Sequence, residues 1–160
     1  MVQYVYSDSF EIKSVKAIKR TYASSVTISA GGSDQTLIDS SFVSGGIKIK
    51  TLVLTCNNSG GGFDIQVYNK DGSTTRLQAI ASGPGFTSTV YLYLSDVYNY
   101  SNVERKQGLW AVENWDTSNN RYTVSLRKEI ECYGVKVIAH NPSGTTDMTF
   151  GCLAIYEEYE

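Results

Sequence analysis

Residues 47–68 read IKIKTLVLTC, NNSGGG, FDIQVY, and residues 133–156 read YGVKVIAH, NPSGTTD, MTFGCLAIY. Each stretch passes from an alternating strand, through a turn rich in Asn and Gly, into a second alternating strand. That grammar predicts a β-hairpin stated twice. In the first stretch Ile47 and Ile49 alternate with Lys48 and Lys50, so one face starts wet. Leu52, Val53 and Leu54 then run consecutively, which calls for burial on both faces or a bulge. Phe63, Ile65 and Val67 point one way, and Asp64, Gln66 and Tyr68 the other. The echo between the stretches reads as the shared grammar of sandwich strands rather than an internal duplication.

Strand signals continue outward on both sides. SSVTIS ends at the Gly31-Gly32 break, and QTLID at Ser44-Gly45-Gly46. Asn69-Lys70-Asp71-Gly72 has the chemistry of a hairpin turn, with Gly where φ must be positive. RLQAIA, STVYLYL, GLWAVEN, RYTVSLR and IECYGVKVIAH follow, separated by SGPG, by residues 116–120 and by Asn141-Pro142-Ser143-Gly144. Roughly nine or ten strands result, and no segment sustains a 3.6-residue apolar period. One short helical turn is expected within residues 95–107. The prediction is an all-β fold, an antiparallel two-sheet β-sandwich, jelly-roll or Ig-like. Long irregular connections such as 95–107 suit Greek-key crossovers better than a closed barrel.

Residues 1–22 differ from the rest. They carry Lys13, Lys16, Lys19 and Arg20 against Asp8 and Glu11, and Phe10, Ile12, Val15 and Ile18 fit neither period. Two readings stand for 1–22, an extended N-terminal arm or the first strand of the sandwich that occupies 23–160.

With 160 residues one domain is expected, long enough to bury a core without metals or disulfides. Twelve Tyr and fourteen Gly against two Pro fit strands and turns. The formal net charge of −2 gives no general attraction to nucleic acid or anionic lipid. No basic start followed by an apolar run opens the chain, and no apolar run reaches the ~20 residues of a membrane helix. A chain without nucleic-acid or membrane partners is expected. Cys56, Cys132 and Cys152 are odd in number and widely spaced, which reads as buried thiols made in a reducing compartment. The Asn57 and Asn99 sequons then read as chance matches.

The chemistry that would mark an enzyme is sparse. The sole histidine, His140, ends a strand before a turn and reads as a turn-capping or surface residue. No G-x-S-x-G surrounds any serine. One histidine and three scattered cysteines make a tetrahedral zinc site a poor fit, and no EF-hand loop is present. Asp34, Asp71, Asp116 and Asp147 read as turn residues that bond their own backbone. Glu129 and Glu131 share one strand face, as solvated edges often do. The glycine clusters at 31–32, 45–46 and 60–62 lack the phosphate-loop pattern. The expectation is no catalytic residue, no cofactor and no metal.

The aromatics invite a binding hypothesis. With the aliphatic side of STVYLYL facing the core, Tyr91 and Tyr93 stand together outside. Tyr98, Tyr100, Trp110 and Trp115 follow. Rigid rings with polar tips serve protein interfaces and stack on sugars, and they also simply pack. As interface candidates we take Tyr4, Tyr6, Phe10, Lys13, Lys16, Lys19, Arg20, Tyr91, Tyr93, Tyr98, Tyr100 and Trp115. The acidic tail from Glu157 to Glu160 is a charge complement for the basic start in a self-assembling shell.

The line from SVTISAGGSDQTLID through IKIKTLVLTCNNSGGGFDIQVYNKDGS to GVKVIAHNPSGTTDMTFGCLAIYEEY resembles small β-sandwich structural proteins of viruses, especially tailed phages. The resemblance covers about residues 24–158 and rests on the style of strand and turn. Such proteins decorate capsids, join portals to tails, or form tail and fibre modules. It implies a non-enzymatic, oligomeric role in a virion assembled in the host cytoplasm. The implied partners are other copies of the chain and a capsid or tail protein. The rival expectation is a carbohydrate-binding module that stacks a surface glycan on Tyr91, Tyr93, Tyr98, Tyr100, Trp110 and Trp115. A third, a small hydrolase, needs two convergent carboxylates or a nucleophile paired with His140.

Overall fold

The computed structural model describes residues 4–6, 12–77, 87–104 and 109–160. The strands are β1 (Tyr4–Tyr6), β2 (Ile12–Ile28), β3 (Gln35–Asp39), β4 (Ile47–Cys56), β5 (Gly62–Tyr68), β6 (Thr74–Arg76), β7 (Leu92–Tyr93), β8 (Trp110–Asp116), β9 (Arg121–Leu126), β10 (Ile130–Cys132), β11 (Val135–His140) and β12 (Met148–Tyr159). One helix, α1 (Leu94–Glu104), interrupts them. A seven-stranded sheet runs β1-β2-β12-β4-β9-β8, with β10 also on β4. A five-stranded sheet runs β3-β11-β5-β6, with β7 also on β5. All pairings between described strands are antiparallel. The fold is all-β, two antiparallel sheets forming a sandwich, and the short strands β1, β7 and β10 exceed the nine or ten expected.

The two motifs that resemble hairpins are not hairpins. β4 lies in the larger sheet and β5 in the smaller, and β11 and β12 are divided in the same way. Each turn carries the chain across the core from one sheet to the other. The two motifs then pair with each other, β4 with β12 and β5 with β11. Alternation reports which face of a strand is dry, and that is the same for a hairpin and for a crossing.

Strand order resolves the architecture. β2 pairs with β12, β3 with β11, β4 with β9 and β5 with β6. This is one long hairpin whose tip is the turn at Asn69-Lys70-Asp71-Gly72, closed by Asn69 N–H donating to Ser73 O at 2.7 Å with Gly72 at φ +85°. The hairpin is rolled until β12 also meets β4 and β11 also meets β5. Such interleaving of early and late strands in both sheets is the jelly roll.

Local chemistry holds the two crossings. In the first, a Cβ on Gly61 would lie 2.6 Å from Cys56 Sγ and 3.0 Å from Phe150 Cε1, so only glycine lets the backbone pass this close to the core. Asn57 clamps the crossing to β12: its N–H donates to Thr149 O, and its Oδ1 accepts from Thr149 N–H at 2.9 Å. In the second, buried Asn141 donates from Nδ2 to Ile28 O and Thr146 O, both at 2.9 Å, and accepts from Ser143 N–H. A buried side chain whose bonds are met in this way fixes one geometry for the crossing.

The core lies between the sheets. Phe63 on β5 and Phe150 on β12 meet across it edge to face, with centroids 5.5 Å apart. Ile49, Leu52, Leu54, Ile65, Val124 and Val137 surround them, all fully buried. In β4 the inward set changes parity, from Ile47 and Ile49 to Leu52, Leu54 and Cys56. The register against β12 slips at the same place, between Ile155 and Tyr156, which leaves Lys50 as the extra residue. The Leu52-Val53-Leu54 run is thus a bulge signature, and Val53 stands on the outer face.

Residues 95–107 hold more than one helical turn: α1 is an 11-residue helix. Leu94 and Val97 enter the core. The first crossing supplies partners for the helix start, as Leu94 N–H donates to Gly61 O and Ser95 N–H to Ser59 O. Buried Asp96 accepts from Thr87 N–H and Oγ1, which ties the incoming segment to the helix. In STVYLYL only Leu92 and Tyr93 are strand, and most of RLQAIA lies outside the described residues.

Candidate docking surfaces

β2 is a 17-residue strand that continues past residue 22 without a break. On one side it pairs with β12 nearly throughout. On the other, β1 covers only Ile12 to Ser14. Among the described residues, β2 is the rim of the sheet from Val15 onward. Its sequence, IKSVKAIKRTYASSVTI, has four bases and no acid. Ile18 is 73% exposed and Tyr22 65%, two of the exposed large apolar side chains among the described residues. Ile18, Arg20 and Tyr22 share the outer face of the sheet.

The opposite rim is β8, WAVENWD, which has Glu113 and Asp116 and no base. Glu113 is the bulged residue of that rim and accepts from Ser125 Oγ at 2.5 Å. One sheet therefore has a basic rim and an acidic rim. Lys16 makes an ion pair with Glu158 at 3.7 Å, whereas among the described residues Lys19 and Arg20 have no carboxylate partner.

Several of the sequence-predicted interface residues take other roles. Tyr91 and Tyr93 do stand together, with centroids 6.0 Å apart, but Tyr91 lies stacked on His140 at 3.8 Å and 8°. Tyr91 O–H donates to Asp34 Oδ2 at 2.6 Å, and His140 Nδ1 is 2.7 Å from Asp34 Oδ1. The hydrogen bond to Asp34, with partial burial, pushes the Tyr91 phenol up to about 12. His140, read from sequence as a turn cap or surface residue, is the centre of this cluster. Its signal was available only in part: Asp34 is 106 positions away, and antiparallel pairing of β3 with β11 brings it alongside.

Tyr98 and Trp115 stack on each other at 4.3 Å and 14°, and Trp115 also meets Tyr122 edge to face. Trp110 is buried at 3% exposure. These rings fasten α1 to β8 and β9, so they are packing groups rather than a free stacking platform. Tyr4 and Tyr6 form β1, and Lys13 and Tyr100 sit in β2 and α1. Phe10 and the side chains of those four residues lie outside what the structure describes.

The turn and strand carboxylates singled out from sequence all have partners. Asp71 accepts from Ser73, and Asp116 from Ser118 and Asn119, in their own turns. Asp147 accepts from Ala30 N–H. Glu129 and Glu131 meet at one ammonium, that of Lys48. Glu129 pairs with Lys48 and Lys50, and Glu131 with Lys48. The Lys50 ammonium holds Glu129 below the ordinary carboxylate value. Buried Asp64 is held by Arg76 Nε at 3.1 Å and Gln66 Nε2 at 3.0 Å. Among the described residues, no group of three or more His, Cys, Asp or Glu is arranged to hold a metal ion. Nor is any described helix long and apolar enough to cross a membrane. Cys56 and Cys152 are buried, Cys132 is half-buried, and all three are free thiols.

No protein-family model and no curated protein matches the chain. Among solved structures it is similar to a chain of the infectious bursal disease virus Gt strain, at 12% identity and a TM-score of 0.23, covering 98% of this chain and 46% of that one. It is also similar to the VP2 subviral particle of the same virus (11% identity, TM-score 0.29, 92% and 43% covered). A third is the T=1 particle derived from that virus (11%, 0.27, 92% and 41%). The chain spans less than half the length of those chains. The jelly roll assigned here rests on strand order alone.

Proposed function

We propose that this chain is a non-enzymatic structural protein of a virion, acting by docking to copies of itself and to a capsid or tail protein. It decorates or stabilises a capsid, or forms part of a neck or tail. One observation carries the reading: among the described residues, the sandwich leaves β2 as a long uncovered rim with an exposed isoleucine and a run of bases, opposite an acidic rim. Unpaired N–H and C=O groups on a rim recruit other strands unless the rim is shortened, covered or charged, and a run of bases guards it against every strand but an acidic one. Two β2 rims would bring bases against bases. β2 against β8 of a second copy brings bases against acids, and a head-to-tail contact of this kind closes into rings or extends. The jelly roll is used by viral shells, but also by lectins and cupins, so the fold contributes less than the rim does. The Asp34–His140–Tyr91 cluster fits a locked structural role, because its phenol stays neutral and its imidazole is covered on one face.

Light scattering after size exclusion, with negative-stain microscopy, tests this. The wild-type chain is expected as a ring or larger closed assembly, and Ile18→Asp together with Lys19→Glu as monomers with an unchanged melting temperature. A wild-type chain that stays monomeric at high concentration, alone and with its capsid, overturns the reading.

A further inference from the structure

The outer face of the seven-stranded sheet has a hollow of about 500 Å³, within the size range of small-molecule sites. Two departures from regular sheet meet there. Gly151 is the fourth residue of β12, and a Cβ there would lie 2.6 Å from Thr55 Oγ1, so glycine leaves that hydroxyl in the floor. Directly opposite, β2 places two residues, Ser24 and Ser25, against that single glycine, and Ser25 has φ +56°. A non-glycine residue in this conformation costs of the order of 1 kcal/mol or more and clusters at functional sites. A bulge of this kind bends its strand and increases the local twist, and both of its residues line the hollow.

The lining is chemically one-sided. Among the described residues it includes Arg20 and Arg121 and no carboxylate, in a chain whose net charge is −2. The cross-strand partner of Arg121 is Asp116, whose oxygens are bonded to the Asn119 turn and whose carboxyl the Arg121 charge helps, after those bonds, to hold below the ordinary value. Most of the remaining surface is apolar, from Val53, Phe150 and Leu153 among others, and the hydroxyls and amides of Thr55, Thr123 and Asn114 are set into it. Tyr22 stands at the wall, with the Arg20 guanidinium 5.6 Å from its ring centroid. Cations at the margin, a few hydroxyl and amide partners in a mostly apolar floor and one exposed aromatic ring together match the apolar face, hydroxyls and acidic group of an anionic sugar.

We propose that this hollow binds an anionic saccharide, its carboxylate or sulfate at Arg121 and Arg20 and its ring against Tyr22. The site is separate from the aromatic residues that sequence reasoning nominated for a glycan, since Tyr98, Trp115 and Tyr91 have faces taken by other rings. It does not rest on the assembly reading, although Arg20 and Tyr22 belong to the same β2 rim, so sugar and a second copy would compete for that strand.

The test is titration of the full chain, followed by protein NMR and calorimetry, with sialyllactose, a heparin tetrasaccharide and neutral lactose. One or both anionic sugars are expected to saturate a single site at least about tenfold more tightly than lactose, which is about 1.4 kcal/mol. Arg121→Ser and Tyr22→Ser, both at exposed positions, should each weaken binding about fivefold or more with an unchanged melting temperature. Sialyllactose and heparin as separate arms tell carboxylate from sulfate. The proposal is overturned if no sugar saturates, if lactose binds equally well, or if Tyr22→Ser leaves affinity intact while salt abolishes it, which is simple ion pairing. It also fails if Arg121→Ser changes the oligomeric state and no sugar affinity, which would make the hollow a contact between copies.

Discussion

Tyr91 lies flat on His140, with ring centroids 3.8 Å apart, and the two side chains hold opposite oxygens of one carboxylate, Asp34. Tyr91 directly precedes β7, His140 ends β11 and Asp34 directly precedes β3, so three separate segments are joined at one end of the smaller sheet. Removing the phenol oxygen with Tyr91→Phe keeps the stack and deletes one hydrogen bond. The expected cost is about 1 kcal/mol, read as a lower urea midpoint with an unchanged slope.

The same contact predicts an alkaline limb in stability. Folding raises the Tyr91 phenol from its ordinary 10.0 to about 12, first through the bond to Asp34 and then through burial. Between these values the folded state keeps a proton that the unfolded state has released, so stability falls as pH rises. Its contribution is complete below pH 10 and lost by about pH 12. Ultraviolet titration of the wild type against Tyr91→Phe checks this: one late-titrating phenol should disappear, and with it part of the alkaline destabilisation.

The Phe63–Phe150 pair is the bridge between the sheets. Each ring is essentially inaccessible, so truncating either to Ala is expected to cost about 3–5 kcal/mol. A double-mutant cycle should return a coupling of about 0.5–1.5 kcal/mol from the edge-to-face geometry. A coupling near zero would show that the two rings act only as separate filler.

Burial pushes the Cys56 thiol up to about 11 and Cys152 up to about 12. Their thiolates are therefore scarce near neutral pH. In a thiol-reagent assay at pH 8, half-buried Cys132 should react first, and Cys56 and Cys152 only at the rate of global unfolding. Fast labelling of all three in the folded chain would contradict the inward placement of β4 and β12.

Glycines offer a paired control. Gly134 sits at φ +145°, and a Cβ there would collide with Ser41 O. Gly144 has open space around it. Gly134→Ala should destabilise by about 2 kcal/mol or more, and Gly144→Ala should stay within about 0.5 kcal/mol, as judged by thermal melts.

Period-two alternation and turn chemistry were sufficient, before any coordinates, for an all-β sandwich, for the tip at Asn69–Gly72 and for the inward faces of β4 and β5. These are local properties, set by neighbours one to four positions apart. Leu52-Val53-Leu54 even disclosed a bulge, though not that Lys50 is its extra residue. Whether NNSGGG and NPSGTTD close hairpins or cross the core was outside their reach, since an alternating strand is equally dry on one face in either case. The choice falls to contacts distant in the chain: Asn57 on Thr149, Asn141 on Ile28, and Phe150 against Phe63. Long-range pairing likewise sets Asp34 beside His140 and lays the Ser24–Ser25 bulge against Gly151, because a sheet makes neighbours of residues more than a hundred positions apart.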